Sequence, residues 1–365
     1  MPDALVRYET TGDGASDCTH PTMSIGDCPL PSVAVAMRLS GSQRQPEIWA
    51  LDYRANDTGR RFDGYGPARR RDETMTEQQY ETYDPAKHNR STPQEVFGPV
   101  VTVDKLEGGG VYLITLNRPH RLNSIGDGLS DALYDAFEEY RDDPNARCAV
   151  LTGAGRAFCA GADLINTAET REAEREGRES GNAPIISRRK NPVPLSEALG
   201  LWKPTIAAIN GWAVAGGFMY AMQCDIRIMS EEAKVGIAET RWNMGGAGWM
   251  TPLTRQIGLG SALELALWGD SQYDAERCHQ LGWVQRVVPQ ELLLETALGY
   301  ARRMLYLAPR EVRNIKQALY RGYYMEPMMA QQFGAAIEQN LQGMNDSIEG
   351  PKAFSEKRLP KFTDT

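Results

Sequence analysis

Two turns built from small residues constrain this chain more than any other feature. The first is Arg156-Ala-Phe-Cys-Ala-Gly-Ala-Asp-Leu164 and the second is Ile209-Asn-Gly-Trp-Ala-Val-Ala-Gly-Gly-Phe218. Each follows a strand-like run, Cys148 to Leu151 and Thr205 to Ile209. Residues without bulk let backbone N–H groups approach a ligand closely. Two such groups aimed at one oxygen form an oxyanion hole, which stabilises charge developing on a carbonyl by a few kcal/mol per donor.

The sequence between and around the turns reads as alternating strand and helix. Val111-Tyr-Leu-Ile-Thr-Leu116 is a buried strand after Gly108-Gly-Gly110, and Leu129, Ala132, Leu133, Ala136, Phe137 and Tyr140 recur as one apolar helix face. The charged run Glu169 to Arg178 reads as a solvated helix. Helices are expected at Gly260 to Gly269, Asp274 to Leu281, Ala308 to Tyr320 and Pro327 to Leu341. Right-handed crossovers then predict a largely parallel, layered α/β core without internal repeats.

Bulk properties exclude several function classes. The 365 residues carry a formal charge of −8, the wrong sign for a general nucleic-acid binder. Cys18, Cys28, Cys148, Cys159, Cys224 and Cys278 form no C-x-x-C pair, and His20, His88, His120 and His279 are equally scattered, so no metal site is expected. Dispersed thiols suit a reducing cytoplasm. No run reaches the ~20 apolar residues of a membrane helix.

Residues 1–95 differ from the rest, being rich in Pro, Gly, Asp, Arg and Ser with short apolar runs. They read as an irregular extension, partly disordered or packed on another subunit. A core over 96–295 and a helical region over 296–365 follow.

From roughly Phe97 onward the chain resembles the crotonase (enoyl-CoA hydratase/isomerase) superfamily. The matching pieces, in order, are Asn117-Arg-Pro-His-Arg-Leu-Asn123, Ala157-Phe-Cys-Ala-Gly-Ala-Asp-Leu164, Ala215-Gly-Gly217 before Cys224-Asp225, Glu239 in Gly236-Ile-Ala-Glu-Thr240, and Glu349-Gly-Pro-Lys-Ala-Phe-Ser-Glu-Lys-Arg358. The resemblance implies a ββα spiral core with a C-terminal helical region for trimerisation or capping, assembled as a homotrimer or homohexamer. It implies an acyl-CoA thioester as substrate, with coenzyme A entering as part of the substrate and no other cofactor.

Carried over by position, the backbone N–H groups of Ala160 and Gly216 would form the hole, and Glu239 would be the acid/base. Arg118, His120, Arg121 and Leu122 would curl over the coenzyme A nucleotide, while Phe354, Lys357 and Lys361 would reach its phosphates from the C-terminal tail. Asp163 and Leu164 fall among the substrate-binding positions, although Asp163 at a helix start also reads as an N-cap that orders the first turn. Asp225 reads as a structural partner for nearby backbone.

Hydratases of the family generally carry a second glutamate three residues after the second oxyanion glycine, and here that position is Met219. Methionine neither accepts nor gives a proton, so hydration between two carboxylates is disfavoured. One carboxylate suffices for moving a double bond in an enoyl-CoA, the favoured reaction. The alternatives are an enoyl-CoA hydratase (a lyase), a thioester hydrolase or a C–C lyase with a second acid outside the motif, and, in another class, a non-catalytic acyl-CoA-binding scaffold. Met219, Met222, Trp242 and Trp249 suggest an apolar pocket for a bulky chain or ring, and burial among Met219, Trp242 and Met244 should raise the pKa of Glu239.

Overall fold

Period-two alternation sorts the apolar strand residues onto the two faces of one sheet in the computed structural model, which describes residues 98–181, 195–270 and 272–365. The extension expected over 1–95 lies outside the described residues. The strands are β1 Val101–Leu106, β2 Val111–Leu116, β3 Cys148–Gly153, β4 Ala157–Cys159, β5 Thr205–Ile209, β6 Trp212–Val214, β7 Ile226–Ser230, β8 Lys234–Gly236, β9 Gln272–Asp274 and β10 Arg286–Val288.

Six of them form a sheet in the order β1-β2-β3-β5-β7-β10. All its pairs are parallel except β1 with β2, where Val101 faces Leu116 and Leu106 faces Val111 across an antiparallel hairpin. On one face, Val111, Cys148, Val150, Ile206, Ala208 and Ile228 are covered by Leu293, Ala297, Leu298 and Ala301 of the Leu293–Arg303 helix. Their alternate neighbours Tyr112, Ala149, Leu151, Ala207 and Ile209 enter a larger core with Leu129, Leu133 and Phe137 of the Leu129–Asp142 helix. Each fully buried aliphatic or aromatic side chain contributes about 1.5–3 kcal/mol.

A second sheet, β4-β6-β8-β9, positions the chemistry. Strands β4, β6 and β8 run parallel, with Cys159 beside Ala213 and Val214 beside Gly236. Their carboxyl ends therefore open side by side, the usual place for a ligand in parallel α/β structure.

The C-terminal helices are tied to the large sheet through Asp225. Its Oδ2 accepts from the Thr205 N–H at 2.7 Å and pairs with Lys316 at 2.9 Å, and its Oδ1 accepts from the Tyr320 hydroxyl at 2.8 Å. This is the structural role its sequence context suggests. The Pro309–Gly322 and Pro327–Glu338 helices form a hairpin in which Gly334 faces Ala318. None of the residues in Pro327–Glu338 is buried, although Met328 and Met329 lie on it. Asp346 on the Asn345–Ser355 helix accepts from the Thr363 and Asp364 N–H groups at 2.8 and 2.7 Å, folding the tail back.

The mixed α/β core and the C-terminal helices agree with the sequence reading. The antiparallel β1 edge leaves the six-stranded sheet largely parallel, as expected. One difference stands out: both small-residue turns leave the second sheet rather than the first.

Candidate active site

The first turn begins where β4 ends. The Ala160 N–H, expected as an oxyanion donor, instead donates to the Leu122 carbonyl at 3.0 Å. It is already engaged, and this removes it from the hole. Gly161 O accepts from Ile125 N–H at 2.7 Å and Asp163 N–H donates to Ile125 O at 3.0 Å, so Ala162 bridges Ile125 with its own N–H facing the other way. No backbone carbonyl among the described residues takes the Ala162 N–H. In this turn it is thus the Ala162 N–H, two residues beyond Ala160, that is left without a backbone acceptor among the described residues.

The second turn leaves β6, and its Ala215 N–H donates to Gly236 O at 2.9 Å. Ala215 has φ 54° and ψ −121°, a conformation that favours glycine. That bend starts the Gly216–Gln223 helix at Gly216 and leaves the Gly216 N–H at the helix N-terminus without an intrahelical partner. The turns meet directly: a Cβ on Gly161 would lie 2.8 Å from the Ala215 Cβ and 3.2 Å from the Gly216 nitrogen.

Glu239 lies three residues beyond Gly236, the β8 residue paired with Val214 and Ala215, so the strand register brings it beside the Gly216 turn. It opens the short Glu239–Trp242 helix. The residue is 6% exposed, and its Oε2 is buried with no hydrogen-bond partner. Burial raises its pKa from 4.5 to about 7, opposed by the backbone N–H groups of Glu239 and Ala238. Trp249 and Met250 flank the carboxylate arm, as shown by what a Cβ on Gly246 would touch. Trp242, expected to help bury it, is itself 43% exposed beneath the Arg241 guanidinium.

Met219 is buried on the Gly216–Gln223 helix, so the position occupied by a second carboxylate in family hydratases is apolar. Asp163 caps the Leu164–Glu176 helix by accepting from the Asn166 N–H at 3.5 Å, and Leu164 stands half exposed at its start.

Arg118 occupies a place different from the nucleotide-binding role its motif implies. It is 1% exposed, and its guanidinium binds Asp127, the Ser124 carbonyl at 2.5 Å and Asp163 at 3.2 Å. An arginine so enclosed orders the loop from inside, and a phosphate in solvent cannot reach it. His120, Arg121 and Leu122 remain on the outer turn, where burial and then the Arg118 charge push the His120 pKa below the usual imidazole value. Asn123, to which the sequence assigned no role, donates to Ala154 O at 2.9 Å and Ala157 O at 2.7 Å and stitches this loop to β4.

Phe354, Lys357 and Lys361 stand exposed at the C-terminal end, where the Lys361 N–H donates to Glu349 at 2.7 Å. The single chain does not bring them to the hole strands through any hydrogen bond among the described residues. Nor do the described residues contain a cluster of three His, Cys, Asp or Glu able to hold a metal ion. Among them, no helix is long and apolar enough to cross a membrane.

Comparison with known proteins identifies the family. A sequence-family profile described as Enoyl-CoA hydratase/isomerase matches residues 107–365. The (E)-benzylidenesuccinyl-CoA hydratase of Thauera aromatica is 34% identical over 254 residues, covering 69% of this chain and 95% of that protein. The 1,2-epoxyphenylacetyl-CoA isomerase of Escherichia coli is 35% identical over 258 residues, covering 70% and 95%. The crystal structure of an enoyl-CoA hydratase from Bacillus anthracis superposes with a TM-score of 0.65 at 32% identity, covering 73% of this chain and all of that one.

Proposed function

The chain belongs to the enoyl-CoA hydratase/isomerase family of enzymes, and from that premise we propose that it shifts a double bond in an enoyl-CoA thioester. One observation carries the reading: the buried carboxylate of Glu239 has an oxygen without a hydrogen-bond partner and a pKa near 7, while the buried Met219 stands where family hydratases carry a second acid. Glu239 would take a proton from the carbon next to the thioester of a 3-enoyl substrate. Charge would pass to the thioester oxygen, held by the Ala162 and Gly216 N–H groups, and the resulting dienolate would regain the proton from Glu239 at its far carbon. The proton moves between two carbons, so the step balances without an electron carrier or metal. Each hole donor is worth ~10²-fold or more in rate.

In this reading His120, Arg121 and Leu122 hold the nucleotide end of coenzyme A, and Phe354, Lys357 and Lys361 meet its phosphates from the tail, where cationic side chains suit phosphate. The uncovered apolar helix Pro327–Glu338 serves as a contact between copies in a homotrimer or homohexamer. Four buried free cysteines fit a reducing compartment, taken here as the cytoplasm. The similarity to proteins named for benzylidenesuccinyl-CoA and epoxyphenylacetyl-CoA, together with Trp249 beside Glu239, favours an acyl group bearing a ring.

Hydration is the second reading, favoured by the hydratase names of several relatives. It requires a second acid outside the Met219 position. Turnover of the purified protein on paired 3-enoyl, 2-enoyl and ring-bearing enoyl thioesters separates the two. Interconversion of the 3- and 2-enoyl forms with little water addition supports isomerisation, and fast hydration of the 2-enoyl form overturns it.

A further inference from the structure

We propose that Gly246 is a positioning residue for Glu239: the side chain it lacks is the space in which the Glu239 arm lies. The inference rests on the reading of Glu239 as the base.

The segment after Glu239 folds back over it. Asn243 turns the chain at φ 50°, the Met244 N–H donates to the Glu239 carbonyl at 2.9 Å, and Gly246 then accepts from the Trp249 N–H at 3.1 Å. A Cβ on Gly246 would lie 2.8 Å from Glu239 Cγ, 2.7 Å from Met250 Cε and 3.1 Å from Trp249 Nε1. Real Cβ atoms do not come within 3 Å of such neighbours, so Met250 Cε, a flexible end, and Glu239 Cγ must both give way, while the Trp249 contact is only tight. Trp249 is backed by Phe218, its ring 6.4 Å away, and Phe218 is stacked at 4.5 Å on the buried Trp283. Glu239 Cγ is met independently of Met250, and with its Oε2 bonded to nothing the arm can be displaced.

The neighbouring glycines behave differently. A Cβ on Gly245 or Gly248 would meet nothing within 4 Å, and none of the three glycines has a φ in the left-handed region. Among the three, an added Cβ conflicts with neighbours only at Gly246.

Charged groups on the surrounding elements are engaged elsewhere. Arg171 contacts the Met244 sulfur at 3.5 Å, Arg241 lies over Trp242, and Glu264 accepts from the Tyr273 hydroxyl at 2.8 Å. The protonation of Glu239 is thus set by how fully this segment covers it, and an arm pushed toward water should ionise more easily.

The test compares Gly246→Ala with Gly245→Ala and Gly248→Ala. Gly246→Ala should lower kcat at least tenfold with KM changed less than threefold, and should move the acid limb of kcat/KM to lower pH. The two flanking variants should stay within twofold of the parent in both. Equal losses in all three would show a general need for loop flexibility and overturn the proposal, as would an unchanged acid limb in Gly246→Ala. A second readout is independent of turnover: the pH dependence of the stability difference between each protein and its Glu239→Gln counterpart reports the Glu239 pKa directly. That difference should shift to lower pH in the Gly246→Ala background, and an unshifted curve refutes the positioning role. If Glu239→Gln itself remains active, the base assignment fails while this curve still decides the role of Gly246. Adding Met250→Ala removes the nearest conflicting atom and keeps the comparison available should the single variant fold poorly.

Discussion

Gly217 and Cys159 meet backbone to backbone, so that a Cβ on Gly217 would collide with the Cys159 carbonyl oxygen. This contact fixes the start of the Gly216–Gln223 helix against β4 and so sets the spacing of the two small-residue turns.

From it we predict that Gly217→Ala destabilises the protein by about 3 kcal/mol, because the obstacle is backbone and cannot rotate away. Urea unfolding measures the loss. A variant with the parent midpoint and parent kcat would show that the two turns are not locked at this point.

Glu239→Gln keeps the shape of the side chain and removes its basicity. We predict a fall in kcat of ~10²-fold or more. In the wild type, kcat/KM should drop as pH falls through about 7, where the base gains its proton. The stability effect has the opposite sense. The native pKa lies above the unfolded value, so the native state binds the extra proton. Stability relative to the Gln variant is therefore fully retained below pH 4.5 and lost as pH rises through about 7. The Gln variant should be the more stable protein at pH 8, by on the order of 3 kcal/mol. Equal melting temperatures from pH 4 to 8 would show that Glu239 is not buried in solution.

If Met219 marks the loss of a water-activating acid, Met219→Glu should add a second carboxylate beside Glu239. Mutual repulsion would raise one of the two pKa values and supply an acid and a base for hydration. We expect a measurable but small gain in hydration of a 2-enoyl thioester, since an acid misplaced by ~1 Å forfeits ~10²-fold. No gain in water addition, with isomerisation intact, would place the limitation elsewhere than residue 219.

Arg118→Met leaves Asp163 uncompensated in the interior. Breaking a buried pair in this way costs about 3 to 5 kcal/mol. Arg118→Lys keeps the charge without the forked geometry and should recover only part of that loss. A denaturation series on the three proteins checks the order, and a Met variant as stable as the parent would show that the cluster is solvated.

The long elements were legible because their patterns are long. The Leu129–Asp142 helix repeats its apolar residues over several turns, and Val111–Leu116 is a run of apolar residues. Strands β4, β6 and β8 have three residues each, too few for alternation to register, so the sheet that carries the site could not be read from the chain. Its loss explains the Ala160 assignment. A motif shows which turn approaches the ligand, but which N–H is free depends on the cross-chain bond to Leu122. Arg118 was misplaced for a related reason: a charged residue in a loop reads as solvated until Asp127 and Asp163 are seen to enclose it. Glu239 was reached through the family resemblance, and the nearness of Gly246 to its side chain was not, since close approach leaves no trace in a single sequence.

The stitching of the Arg118–Ile125 loop to the first turn has a mechanical consequence. Leu122, Asn123 and Ile125 each bond to the segment from Ala157 to Asp163, so the outer turn and the Ala162 N–H move as one piece. If the outer turn holds the nucleotide and the Ala162 N–H holds the thioester oxygen as proposed, force applied at the far end of the ligand is delivered to the reacting carbonyl. Affinity gained at the nucleotide would then be converted into turnover, and a thioester cut back to a short thiol would react slowly even at saturation.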